Sequence, residues 1–130
     1  MYRWGEHTGE LELEIEAARE EDVFRDALAA LAELLDEDGG GEVQTYDVDV
    51  ASRDRPALLA DWLTELVFLA ETEEFVPAAV TALELAGSRL RATVSGRRGH
   101  PRHLVKAVTY HGLRFATVND RWRAHVVLDV

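Results

Sequence analysis

Residues 10–17, ELELEIEA, alternate strictly between acidic and apolar side chains. Because successive side chains of a β-strand point to opposite faces, Leu11, Leu13, Ile15 and Ala17 share one face and four glutamates share the other. A strand of this kind is buried on one side and solvated on the other. The stretch therefore predicts a sheet with one covered face.

Two amphipathic helices are predicted by apolar residues that recur at helical spacing. The first lies within residues 19–41, where acidic side chains at the start suit the positive end of a helix. The second lies within residues 54–75, and Pro56 stands in its first turn, where the missing N–H costs nothing. These helices can cover the apolar face that the alternating strand requires.

The remaining chain reads as strands, one at residues 42–52 and a run of them from residue 75 to the end. The predicted order is β-α-β-α-β-β-β-β in a single domain over residues 1–130. We predict an α+β fold, a two-layer sandwich in which a mainly antiparallel sheet carries both helices on one face.

Composition removes several classes of function. The chain has no cysteine, which excludes disulfides and cysteine-based zinc or nucleophile sites. No stretch approaches the roughly 20 apolar residues of a membrane span, and the start of the chain is polar and acidic, so we expect a soluble cytoplasmic protein. The net charge of −11 argues against unaided, tight binding to nucleic acid.

The charge is unevenly distributed along the chain. Residues 1–87 hold 5 Arg and 23 Asp or Glu, whereas residues 88–125 hold 9 Lys or Arg and one acid. One interpretation is that acidic helix faces and basic outward strand faces follow each other in sequence. The other is a bipolar surface that docks on a charged partner.

Two short stretches offer oxygen ligands. EHTGE places His7 three residues before Glu10, and HVVLDV ends the chain with Asp129 and Val130, whose main-chain carboxylate would lie beside the Asp129 side chain. Carboxylates favour hard cations such as Ca²⁺ or Mg²⁺, whereas histidine suits Zn²⁺ or Mn²⁺. A polar loop and a frayed terminus are the plain alternatives.

A third stretch, VKAVTYHG at residues 105–112, contains Lys106, the one lysine beside thirteen arginines. Arginine is the better bidentate partner, whereas the ammonium of lysine is a compact point charge that loses its proton more readily. Lys106 is therefore a candidate for a point contact to a carboxylate or a phosphate. The alternative is a solvated charge on an edge strand.

Taken together, the motifs resemble the archease family. They are HTGELELEI (7–15), LLADWLTELVF (58–68), VKAVTYHGLRF (105–115) and WRAHVVLDV (122–130), in the order that the family has. The first corresponds to the family's His-Thr-Ala-Asp start, and the last to its ending in Asp plus one aliphatic residue.

The resemblance implies a non-enzymatic, chaperone-like accessory protein of an RtcB-type RNA ligase, which joins RNA ends with GTP and a metal. Archeases promote the ligase–guanylate intermediate and repeated turnover in tRNA splicing and RNA repair. Carried over by position, the metal ligands of the family fall on Glu10, Asp129 and Val130, with calcium as the metal, and the functional lysine falls on Lys106. The ligase-activating residues would then be Lys106, Glu10 and Asp129.

This chain departs from the family at one ligand, because Glu10 stands where the family usually has Asp. Its oxygens sit about 1.5 Å further from the backbone, a difference that Ca²⁺ tolerates better than Mg²⁺. Two other functions stay open. One is a metal-dependent hydrolase that uses His7 and His111 together with Glu10 and Asp129. The other is an interaction module that binds through the basic region 89–102.

Overall fold

A computed structural model describes residues 1–36, 40–102 and 105–130 of the protein. Within these ranges the chain forms two helices and seven strands. They are β1 (Tyr2–His7), β2 (Glu10–Ala17), α1 (Glu20–Leu35), β3 (Val43–Ala51), α2 (Arg55–Thr72), β4 (Phe75–Ala86), β5 (Arg89–Arg98), β6 (Ala107–Val118) and β7 (Arg121–Asp129).

The strands form two antiparallel sheets. One has four strands in the order β1-β2-β7-β6, and the other has three in the order β3-β5-β4. Both helices contact strands of both sheets, so the apolar core lies where helices and sheets meet. The alternating strand is the second of the four-stranded sheet, with Leu13 and Ile15 buried and Glu12 and Glu14 on the outer face.

The predicted α+β class, with two helices and antiparallel sheets, is confirmed. Two details of the predicted arrangement are wrong. β1 was missing from the element order, because only Tyr2 and Trp4 of its six residues are apolar and face the core. The single sheet is in fact two, because β3 pairs with β5 and never with a strand of the four-stranded sheet.

Helix α2 is more extensively buried than a helix with a single apolar face would be. Ten of its residues are buried, among them Trp62, whose Nε1–H donates to the carbonyl oxygen of Phe24 at 3.0 Å. Its start is capped by Asp54, whose carboxylate accepts from the amide of Ala57 at 2.9 Å. No helix in the described ranges is long and apolar enough to cross a membrane.

The uneven charge distribution follows from which strands pair. Acidic strands from the first half of the chain lie beside basic strands from the second half. On the three-stranded sheet, Asp49 accepts from Arg89 at 2.6 and 2.8 Å and lies 3.5 Å from Arg91. On the four-stranded sheet, Glu16 lies 3.1 Å from Arg121. These arginines therefore lie on outward strand faces and meet acidic partners there.

One contact between β1 and α1 gives a pH-dependent prediction. The hydroxyl of Tyr2 donates to the carboxylate of Glu33, and this hydrogen bond is the main cause that raises the pKa of Tyr2 to about 12. A phenol whose folded pKa lies above its unfolded value of about 10 stabilises the fold below pH 10, and that contribution disappears as the pH rises through 12. In a phenolate absorbance titration, Tyr2→Phe should remove the step near pH 12. An unchanged titration would contradict the contact.

Candidate functional site at one edge of the four-stranded sheet

Three of the predicted site residues lie in one row across the four-stranded sheet. His7 of β1 pairs with Glu10 of β2, Glu10 pairs with Asp129 of β7, and Asp129 pairs with Ala107 of β6. Directly paired residues of antiparallel strands share a face, so His7, Glu10 and Asp129 all lie on the outer face. The row crosses the sheet at one end of its strands, and we call this end the edge of the sheet. Segments from both ends of the chain meet there.

Main-chain hydrogen bonds fix the neighbours of the row. The amide of Lys106 donates to the carbonyl oxygen of Asp129 at 2.7 Å, and the amide of Val130 donates to the carbonyl oxygen of Gly9 at 3.1 Å. Gly9 turns the chain between β1 and β2 with a φ of 73°, which glycine adopts without steric cost. The main chain of Lys106 and of Val130 is therefore held beside the acidic pair.

The acidic pair carries two like charges that face each other. Side chains paired in this way have Cβ atoms about 4.5–5.5 Å apart, and like charges there destabilise a sheet. Within the described ranges, neither Glu10 nor Asp129 forms an ion pair, and Lys106 forms none either. A cation at this edge would offset the repulsion.

The donor set fits a hard cation in its chemistry. Glu10 and Asp129 supply carboxylate oxygens, and Val130 brings a main-chain oxygen to the same edge. Ca²⁺ takes about six to eight oxygen ligands, so these residues form only part of a coordination shell. In agreement, no three His, Asp or Glu side chains of the described residues are grouped closely enough to hold a metal ion by themselves.

The two candidate histidines have different surroundings. His7 lies in the row, but its Nε2 is 3.8 Å from the carboxylate of Glu12, one row further along β2. His111 is exposed in an irregular part of β6, and its amide donates to the hydroxyl of Thr109 at 3.3 Å. The structure thus brings His7 near the acidic pair and leaves His111 outside the row.

The sequence did not predict that Glu12 and His125 lie next to the candidate site. The Glu12 carboxylate lies between two imidazoles, 3.8 Å from His7 and 3.9 Å from His125. The Nδ1 of His125 lies 2.8 Å from the carbonyl oxygen of Gly112 and must carry the proton, because a carbonyl only accepts. The alternation of β2 already places Glu12 on the face of Glu10, but only the register of β7 reveals His125.

The protein is thus of the α+β class, and Glu10, Asp129 and Lys106 meet at one edge of its four-stranded sheet. A model described as the archease protein family (MTH1598/TM1083) matches residues 2–130. The chain belongs to the archease family.

Individual relatives agree with this. A protein archease of Pyrobaculum calidifontis is 32% identical over 139 residues, covering 99% of this chain and 95% of that protein. A protein archease of Methanothermobacter thermautotrophicus is 33% identical over 119 residues, covering 85% and 84%.

Solved structures are similar over the whole chain. The solution structure of Methanobacterium thermoautotrophicum protein 1598 superposes with a TM-score of 0.75 at 26% identity, covering 99% of this chain and 98% of that one. A crystal structure described as an archease, possible chaperone (TM1083), from Thermotoga maritima has a TM-score of 0.69 at 22% identity, covering 100% and 98%. At 22% identity, the similarity to the Thermotoga structure supports a shared fold only.

Proposed function

We propose that the protein is an accessory activator of an RtcB-type, GTP-dependent RNA ligase and is not itself an enzyme. It promotes formation of the ligase–guanylate intermediate and lets each ligase molecule join RNA ends repeatedly, in tRNA splicing or RNA repair. Membership of the archease family supports this proposal. The cytoplasmic location expected from the sequence belongs to the same proposal.

The observation that carries the proposal is the meeting of Glu10, Asp129 and Lys106 at one sheet edge. These residues are separated by up to 119 positions in sequence, and strand pairing alone brings them together. Facing carboxylates without ion-pair partners in the described ranges weaken a sheet, which supports a role in function over one in stability.

Each residue has a part in the proposed site. Glu10, Asp129 and the main-chain oxygen of Val130 would hold a divalent cation, and Ca²⁺ suits this oxygen donor set because it tolerates variable ligand geometry better than Mg²⁺ does. When bound, the cation would supply positive charge that neutralises the facing carboxylates. The main chain of Lys106 lies beside Asp129 and its side chain is exposed, so its ammonium can make a point contact with a carboxylate or phosphate of the ligase complex.

The test is a turnover assay with substoichiometric protein. Ligase, GTP, metal and a large excess of RNA are mixed with or without the wild-type protein, and joined RNA per ligase is counted. We expect several rounds of joining per ligase only when the protein is present. An unchanged count would overturn the proposal, and phosphoester cleavage by the protein alone would favour the hydrolase instead.

A further inference from the structure

Strand β6 contains a large bulge between the candidate site and the rest of the sheet. Thr109 pairs with Val127 and Arg114 pairs with His125, so four residues of β6 lie opposite the single residue Val126 of β7. Residues 110–113 form this segment, which we call the β6 bulge. It adds three residues to one strand without a counterpart on the other.

The bulge resolves a conflict in the strand's pattern. Val108 and Phe115 both pack on the core, yet they are seven positions apart, and an odd separation puts residues of a regular strand on opposite faces. Because the bulge adds an odd number of residues, both side chains can face inwards. The pairing of Arg114–Val118 with β7 therefore does not determine how Ala107 pairs with Asp129. Contacts near Ala107 have to fix that register.

Two contacts hold the bulge from opposite sides. On the helix side, the hydroxyl of Tyr110 donates to the Asp61 carboxylate of α2 at 3.0 Å, and the other oxygen of Asp61 accepts from Ser52. The guanidinium carbon of Arg53 lies 5.6 Å from the centroid of the Tyr110 ring. Tyr110 is thus held at its ring and at its hydroxyl.

On the outer face, His125 donates to the carbonyl oxygen of Gly112 at 2.8 Å. Gly112 has a φ of 69°, and a Cβ there would come 3.4 Å from the imidazole of His125. Glycine adopts this φ without the strain that another residue would carry, and the missing Cβ leaves room beside the ring. The bulge is therefore clamped between α2 and β7.

We propose that Tyr110 is a positioning residue that, through Asp61, fixes the register of Ala107–Thr109 on β7 and so places Lys106 beside Asp129. This rests on the proposed function only for its consequence in ligase activation. Loss of the tether lets the start of β6 open or slip, and a slip of one residue would move Lys106 off the carbonyl of Asp129 and reverse the faces of its neighbours.

The experiment compares Tyr110→Phe with a matched control, Tyr2→Phe. Each variant removes one phenol–carboxylate hydrogen bond, to Asp61 in the first and to Glu33 in the second. The first readout is hydrogen exchange of the Lys106 amide. Tyr110→Phe should exchange roughly five- to tenfold faster there, the factor that loss of one hydrogen bond implies, whereas Tyr2→Phe should match the wild type.

A second pair of variants separates positioning from general damage. Asp61→Asn keeps an oxygen that accepts from Tyr110 and should keep wild-type exchange at Lys106, whereas Asp61→Ala should behave as Tyr110→Phe does. In the ligase assay, Tyr110→Phe should lower the maximal rate severalfold, and Asp61→Asn should retain it.

The outcomes are distinguishable. Equal Lys106 exchange in Tyr110→Phe and Tyr2→Phe would overturn the positioning role. If wild-type protein does not activate the ligase but the exchange pattern holds, the proposed function fails and the positioning role stands.

Discussion

Lys106→Arg should impair ligase activation although it keeps the positive charge. We expect activated turnover to fall by roughly 10- to 100-fold, the factor that corresponds to loss of one charge-assisted hydrogen bond. A planar guanidinium is wider than an ammonium and distributes its charge over a fork, so it cannot replace a compact point contact at the same distance. The side chain is exposed, which leaves the core unaffected by the exchange.

The control for this variant is Arg114→Lys, the reverse exchange on the same strand beyond the β6 bulge. Arg114 is exposed on the outer face, away from the row of Glu10 and Asp129. It should activate the ligase as the wild type does. Full activity of Lys106→Arg would mean that position 106 needs only a solvated positive charge and that the ammonium has no special role.

Asp129→Asn should raise stability when calcium is absent and weaken the stabilisation that calcium provides. Without a divalent cation, the variant should be more stable than the wild type by about 0.2–1 kcal/mol, because the repulsion between Glu10 and Asp129 is removed. With calcium, the wild type should gain free energy of unfolding as the ion saturates its site. The variant should bind at least roughly tenfold more weakly, because ligand charge sets calcium affinity.

The measurement is thermal or denaturant unfolding across a calcium titration. Asp47→Asn is the matched control, since Asp47 is exposed on the outer face of the three-stranded sheet and an asparagine can still accept from Thr93. It should respond to calcium as the wild type does. If Asp129→Asn is destabilised without calcium and responds normally to it, the acidic pair is not a cation site.

Local patterns gave much of the fold correctly, and the reasons are physical. The prediction for residues 10–17 coincides with β2, because alternation reports a half-buried strand directly. Pro56 marks the first turn of α2. β1 was not predicted because only two of its six residues are apolar and face the core, which is too few to reveal an alternation of apolar and polar side chains.

Pairing between distant strands was beyond the reach of local patterns. The resemblance to a family grouped Glu10, Asp129 and Lys106, but periodicity alone could not, since register depends on long-range contacts. The same limit hid His125, which gains its neighbours Glu12 and Gly112 only when β7 lies between β2 and β6. The β6 bulge left one local trace, the odd separation of Val108 and Phe115.

The most direct test of the central claim measures formation of the ligase–guanylate intermediate from labelled GTP. The wild-type protein is compared with a triple variant, Glu10→Gln, Lys106→Ala and Asp129→Asn, after both are shown to be folded. We predict that the wild type accelerates guanylate transfer and the triple variant does not. Equal acceleration by both proteins, or none by the wild type, would contradict the assignment of this sheet edge as the surface that acts on the ligase.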